Sequence, residues 1–170
     1  RPTMYSKLFL KRKIQMPIRV NRVRKYLKKY SNINSNITWL NTDQYTDINK
    51  VNNTDYSFNS LNELKIIKYK NYNIGVGVAS TLVTDLADPN PFPLGKNVTS
   101  EINEQIKSAK ISVNLAEMIL NDKNYDSIVL FNGRMACEHA FKQVGQSKGI
   151  KIYFHEQIKP NTRFFFEDYQ

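Results

Sequence analysis

Apolar residues near the end of the chain follow two different spacings in turn. Residues 127–131 form a short apolar run, which is typical of a strand buried on both faces. Residues 135–148 repeat apolar side chains along one helical face, and Gly149 follows at the position where such a helix ends. A second apolar run covers residues 151–154. This order predicts a strand, a helix and a strand, with the two strands parallel and joined by a right-handed crossover.

A longer segment with helical spacing of apolar residues precedes this unit. From Asn97 to Asn121 apolar residues recur at steps of three and four, and Thr99 or Ser100 can cap the first turn. The spacing predicts a helix whose apolar stripe faces the core. Before it, three prolines within residues 88–93 exclude a helix and predict an exposed loop.

The earlier segments carry weaker patterns. Residues 37–40 and 64–69 are short apolar stretches, and we expect a strand from each. Gly75 and Gly77 then suggest either a loop that enters a helix through Leu82 or a cofactor loop that approaches phosphate. The loop is favoured, because the third glycine of the dinucleotide-binding motif is missing. Together the patterns predict an α/β domain over residues 31–170, with a Rossmann-like, mostly parallel sheet and helices on both faces.

Positive charge is concentrated at the start of the chain. The 170 residues carry a net charge of +10, yet residues 1–30 hold eleven Lys and Arg and no acidic residue. Within them, residues 18–30 have the spacing of a basic amphipathic helix, and Pro17 precedes it. Three interpretations stay open: a surface helix docked by its apolar stripe, attraction to an anionic membrane or polymer, and nucleic-acid binding. We predict a basic helical segment over residues 1–30, and no specific nucleic-acid binding, because no recognition motif accompanies the charge.

The composition narrows the choice of chemistry. A single cysteine, Cys137, excludes an intramolecular disulfide framework and a multi-cysteine zinc site, and His139 and His155 are the only histidines. We therefore expect no metal site. No apolar run approaches the roughly 18 residues of a membrane span. The expected location is the cytoplasm, with the basic segment available to hold the protein at the inner face of the membrane.

Two polar motifs follow the two predicted parallel strands. Asn132-Gly133-Arg134 comes after the first strand and His155-Glu156 after the second. The carboxyl ends of parallel strands meet at one edge of the sheet, and ligands bind in the crevice beyond that edge. We therefore predict that the two motifs form one site.

The residue types in these motifs suit a polar ligand. The Asn132 amide offers a donor and an acceptor to sugar hydroxyls, Gly133 lets the backbone turn, and Arg134 at a helix N-terminus favours an anion. These three are the predicted substrate-binding residues. His155 and Glu156 are the predicted catalytic residues, with His155 as a general base that Glu156 orients, or Glu156 as the base itself.

Structural explanations stand beside these roles. Asn-Gly is a common turn dipeptide, and Arg134 can pair with Glu138 four residues later. A histidine and a glutamate at a strand end are often surface residues. We interpret His139, inside the predicted helix, as a packing or surface residue.

The stretch Ser127-Ile-Val-Leu-Phe-Asn-Gly-Arg134, followed after one helix by Gly149-Ile-Lys-Ile-Tyr-Phe-His-Glu156, resembles bacterial capsule and surface-polysaccharide biosynthesis proteins. The segment from Ile67 to Gly75 is also similar, and the resemblance covers about residues 65–156. The family often continues from His-Glu into Arg-Gly. Here Gln157-Ile158 follows instead, so no role of an arginine at that point is carried over to this chain.

The resemblance implies a glycosyltransferase of two facing Rossmann-type domains, the arrangement called GT-B. This chain would be the N-terminal half, which binds a saccharide or lipid-linked acceptor. The sugar nucleotide donor would bind the other half, so no cofactor is expected in this chain. Two alternatives remain: a non-catalytic Rossmann-like module that binds an anionic glycan or nucleotide, and a basic adaptor at the membrane surface.

Overall fold

The computed structural model of the chain describes residues 51, 55–92, 96–159 and 162–167. All of them belong to one compact unit, Asp43–Gln170. The basic helical segment predicted at residues 1–30 and the strand predicted at residues 37–40 lie outside the described residues.

Four helices and five strands make up the described part. In chain order they are α1 (Leu61–Lys65), β1 (Lys68–Tyr69), β2 (Tyr72–Asn73), α2 (Gly75–Leu86), α3 (Lys96–Asp122), β3 (Ser127–Phe131), α4 (Ala136–Ser147), β4 (Lys151–Lys159) and β5 (Thr162–Glu167). The first two strands form a small antiparallel hairpin, and the last three form a second sheet in the order β3-β4-β5. The chain is thus an α/β protein with two small sheets.

The predicted strand–helix–strand unit is confirmed. β3 and β4 are parallel neighbours, paired from Ser127 opposite Lys151 to Phe131 opposite His155. β4 is longer than the predicted 151–154 and continues to Lys159.

The prediction of a mostly parallel sheet is wrong for β5. This strand was not predicted, and it runs antiparallel to β4, with Phe154 paired to Phe166. Only Pro160 and Asn161 separate the two strands. A connection of two residues is too short for a parallel crossover, so the chain must return antiparallel.

The prediction of helices on both faces also needs correction. α4 packs against β3 and β4, and α2 and α3 pack against α4. We call the face of β3 and β4 that meets α4 the covered face; it carries Ile128, Ile152 and Phe154. On the opposite, open face Val129 and Phe131 are 56% and 50% exposed. The described part of the chain therefore covers only one face, and β3 is not buried on both sides as its apolar run suggested.

The hydrophobic core lies among the helices. The long helix α3 confirms the predicted one within a residue at each end, and its apolar stripe is buried as predicted: Ile102, Ile106, Ala109, Val113, Ala116 and Leu120. Residues of α1, α2 and α4 complete the cluster, among them Leu64, Val78 and Val144.

Two segments predicted as a strand and as a loop are helical instead. Leu64 lies in helix α1 rather than in a strand, and only Lys68–Tyr69 of that segment are extended. Helix α2 begins at Gly75, so the glycine pair lies in its first turn rather than in a loop. Close contacts explain both glycines: a Cβ on Gly75 would lie 2.0 Å from the Leu64 carbonyl oxygen, and one on Gly77 would lie 2.7 Å from the His139 Cβ.

Asp88 to Phe92 form no helix or strand, as predicted, and the Asn90 N–H donates to Oδ1 of Asp88 at 2.8 Å. The expected exposure holds from Asp88 to Asn90, whereas Pro91 is buried. Within the described ranges, no helix has both the length and the apolar character needed to cross a membrane.

Candidate functional site

A cavity of about 530 Å³ lies beside the carboxyl end of β3. Its volume falls within the range of small-molecule sites, about 300–1,000 Å³. Five of the described elements or turns contribute to its walls. The lining residues are Val76, Ser80, Asn132, Gly133, Arg134, His139, Lys142, Phe154, Glu156 and Phe166.

The turn between β3 and α4 forms one wall. Asn132 and Gly133 both have left-handed backbones, with φ of 63° and 73°. The Asn132 N–H donates to the His155 carbonyl at 3.1 Å, so the turn stays attached to β4. A Cβ on Gly133 would lie 2.1 Å from Cε1 of Phe154. Glycine is required here twice, once by its φ and once by the aromatic ring against it.

Arg134 points its guanidinium back along this turn. Its Nε donates to Oδ1 of Asn132 at 2.5 Å, and its side chain is exposed. It forms no salt bridge with any residue that the structure describes, so the expected alternative of a pair with Glu138 is not found. The terminal nitrogens of the guanidinium remain available to a ligand at the cavity mouth.

Glu156 and His155 lie on opposite faces of the sheet. Neither follows the end of β4, because the strand continues past both, and side chains alternate along a strand. Glu156 lines the cavity. His155 lies on the open face, where its ring meets that of Phe131 edge-on with centroids 5.3 Å apart. The structure therefore brings Asn132, Gly133, Arg134 and Glu156 together and leaves His155 outside the cavity.

His139 packs against Gly77 of α2, in agreement with its interpretation as a packing residue, and it also lines the cavity, which the sequence did not predict. Its Nε2 is buried and has no hydrogen-bond partner among the described residues. Burial, and then the charge of Lys142, hold the pKa of His139 below its usual value, and hydrogen bonding with the backbone of Gly133 and Asn73 offsets part of this effect. The imidazole is therefore neutral at pH 7.

Lys142 follows His139 by one helical turn and reaches over the cavity floor. Its Nζ lies 5.2 Å from the ring centroid of Phe154, a cation–π contact. Phe154 in turn packs against Phe166 of β5, with ring centroids 5.4 Å apart. A spacing of three residues on a helix that follows the Asn-Gly-Arg turn was the signal available in the sequence for His139 and Lys142.

The arrangement offers a carboxylate, an amide, two cations and an aromatic floor within one cavity. Among the described residues, no group of three or more His, Cys, Asp and Glu side chains could hold a metal ion. No protein-family model, curated protein or solved structure shows a significant match to this chain.

Proposed function

We propose that this chain is the acceptor-binding, N-terminal half of a glycosyltransferase that builds a capsular or surface polysaccharide. The observation that carries the proposal is the shared cavity of Asn132, Arg134 and Glu156 beside the carboxyl end of β3, where its parallel pairing with β4 stops. The resemblance around residues 127–156 supports it. The β3–α4–β4 unit would then belong to a Rossmann-like sheet, and a second domain would supply the sugar nucleotide.

The chemistry would use one carboxylate. Glu156 accepts the proton of an acceptor hydroxyl while that oxygen attacks the anomeric carbon of the activated sugar. The new glycosidic bond forms as the bond from the anomeric carbon to the nucleotide breaks, and the nucleotide leaves with the electron pair. Asn132 exchanges hydrogen bonds with neighbouring hydroxyls of the acceptor and fixes its orientation.

A second candidate is a non-catalytic module that binds an anionic glycan or a nucleotide. The position of His155 favours it, because His155 lies on the open face and leaves Glu156 as the one predicted catalytic side chain in the cavity. Such a module would use the same cavity for binding alone.

The test is transfer activity of the protein made from the complete gene, assayed with labelled nucleotide sugars and glycan acceptors. Glu156→Gln removes the base and should lower turnover by roughly 100-fold or more. Glu104→Gln, a matched change at an exposed position of α3, should leave turnover unchanged. His155→Ala should change it by less than about threefold, because the side chain does not reach the cavity.

Near-normal turnover of the Glu156→Gln protein would contradict the proposed chemistry. Micromolar binding of a nucleotide sugar by the 170-residue chain alone would contradict the acceptor-side assignment and favour the binding module.

A further inference from the structure

One aromatic side chain at the cavity is far more exposed than the aromatic side chain it packs against. Phe166 of β5 is 47% exposed, whereas Phe154, its partner on β4, is only 3% exposed. Their ring centroids are 5.4 Å apart, and both residues line the cavity. Burial of the remaining apolar surface of Phe166 would be favourable, and a ligand in the cavity would provide it.

Polar groups with free hydrogen-bonding capacity lie beside this ring. Glu156 is on the same face of the sheet as Phe154 and is the diagonal neighbour of Phe166, a relation in which residues are about 7–8 Å apart. The Glu156 carboxylate has no hydrogen bond or salt bridge with any residue in the described ranges. Arg134 uses its Nε to bond Asn132, which leaves its terminal nitrogens to donate. A ligand that lies on Phe166 would therefore meet hydrogen-bonding groups at its edge.

A ring with an apolar face and a polar edge fits this arrangement. In a pyranose, C–H groups occupy part of a ring face and hydroxyls project from the rim. The negative face of a phenyl ring attracts the C–H groups, while a carboxylate accepts from hydroxyls and a guanidinium donates to them. An open-chain polyol offers the same hydroxyls without such a face, so it would leave Phe166 uncovered.

We infer that the cavity holds a pyranose ring against Phe166, with the C–H face of the sugar on the aromatic ring and its hydroxyls toward Glu156 and Arg134. This inference rests on the proposed function and deepens it by naming the residue that selects a cyclic acceptor. Phe166 then determines specificity through contact with the sugar, while Glu156 accepts the proton.

The test measures the binding of four probes to the full 170-residue chain by NMR titration. Three are the methyl β-glycosides of glucose, galactose and N-acetylglucosamine, and the fourth is sorbitol, an open-chain polyol. At least one glycoside should bind about threefold to tenfold more tightly than sorbitol, the factor that an aromatic contact contributes. Saturation of the aromatic protons of the protein should transfer to the C–H protons on one face of that glycoside.

Substitutions at two equally exposed phenylalanines separate the cavity from the rest of the surface. Phe166→Leu keeps an apolar contact with Phe154 but removes the aromatic face, and should weaken glycoside binding to the level of sorbitol. Phe166→Tyr keeps the aromatic face and should retain the binding. Phe131→Leu is the matched control, because Phe131 is 50% exposed but lies on the open face, outside the cavity lining, and this change should leave binding unaltered. Should Phe166→Leu fail to fold, the saturation transfer in the unmodified chain decides.

Equal glycoside binding by the unmodified and Phe166→Leu chains, or no saturation transfer to the ring C–H protons, would overturn the inference and leave the proposed function standing. Sorbitol binding as tightly as every glycoside, or binding of none of the four probes, would also overturn the inference. The transfer assay of the Glu156→Gln protein then decides the proposed function separately.

Discussion

One face of the β3-β4-β5 sheet is covered by helix α4, whereas the other face leaves large apolar side chains half exposed. On the covered face Ile128 and Ile152 meet α4 where Gly145 leaves room, and Phe154 is only 3% exposed. On the open face Val129 and Phe131 remain about half exposed. The sequence of β4 already marks this difference, because Ile152 and Phe154 lie on the covered face and Lys151 and His155 on the open face. In β3 both faces carry apolar residues, so only the position of the helices shows which face of β3 is packed.

This difference decides which polar residues can act together. Two neighbours in a strand, His155 and Glu156, are adjacent in sequence and yet belong to different environments, one beside Phe131 and one in the cavity. Residues from separate elements, such as Arg134, Lys142 and Glu156, share the cavity instead. Whether two residues share a site therefore depends more on which face of the sheet they lie on than on how close they are in the sequence.

The largest effect on stability should come from the turn that closes on the covered face. Gly133→Ala forces a side chain into a left-handed backbone and into the Phe154 ring, and should cost about 2–4 kcal/mol of the free energy of unfolding. Gly149→Ala is the matched control, since Gly149 has a similar φ of 67° but nothing within 4 Å of its added Cβ. It should cost about 1 kcal/mol, measured by urea denaturation. Equal costs would show that Phe154 does not pack against the turn.

A smaller contrast should appear between the two faces themselves. Gly145→Val overpacks the covered face, where an added Cβ lies 2.7 Å from Cδ1 of both Ile128 and Ile152, and should cost about 1–3 kcal/mol. Val129→Thr on the open face should change stability by less than about 0.5 kcal/mol. Both values come from urea midpoints at a common m-value. A large loss at Val129 would mean that another surface covers the open face in solution.

The smallest expected effect is a pH dependence that arises on the cavity side. The pKa of His139 is lowered in the folded state, so below about pH 6.5 the unfolded chain binds protons that the folded chain does not. Stability should therefore fall as the pH drops through and below 6.5. His139→Gln should flatten this part of the curve of urea midpoint against pH.

A charge control sharpens the same measurement. Lys142→Met removes a positive neighbour, raises the pKa of His139 and should flatten the curve in part, whereas Lys151→Met should not alter it. Parallel curves for the unmodified and His139→Gln proteins would contradict the assignment.

The strand–helix–strand unit and α3 were predictable because their spacing is local. The apolar run at 127–131 is enough to predict strand β3, and the helical spacing of apolar residues at 102–120 is enough to predict helix α3. The number of packed faces could not be predicted from β3 itself, because a strand of five residues that is apolar on both sides has the same sequence pattern whether one face or both are packed. The expectation of two buried faces was wrong for that reason.

The other errors have causes in distant contacts. Gly75 and Gly77 predicted a loop before the helix, but both lie in its first turn because Leu64 and His139 leave no room there for a side chain. β5 has a local signal in the sequence: proline and asparagine favour turns, and Pro160-Asn161 separate the strand that begins at Lys151 from the aromatic run Phe164–Phe166.

The candidate site was partly predictable. The parallel order of β3 and β4 was sufficient to expect Asn132, Gly133, Arg134 and Glu156 near one another. The strand's alternation, once β4 is extended to Lys159, separates His155 from them. To predict that His139 lines the cavity, one would need to know how α4 is rotated about its axis relative to the sheet, and the helix sequence alone does not give that rotation.

One hydroxyl links the two helices that wall the cavity. The Thr81 Oγ1 donates to the Gly77 carbonyl at 3.0 Å and accepts the N–H of Ala136, the first residue of α4, at 2.9 Å. Sliding α2 along α4 would break a buried hydrogen bond that water cannot readily replace. Val76 and Ser80 on one helix and His139 and Lys142 on the other therefore form a preassembled half of the cavity. A ligand at that wall would meet side chains that are already held in place, so binding would carry no cost for bringing the two helices together.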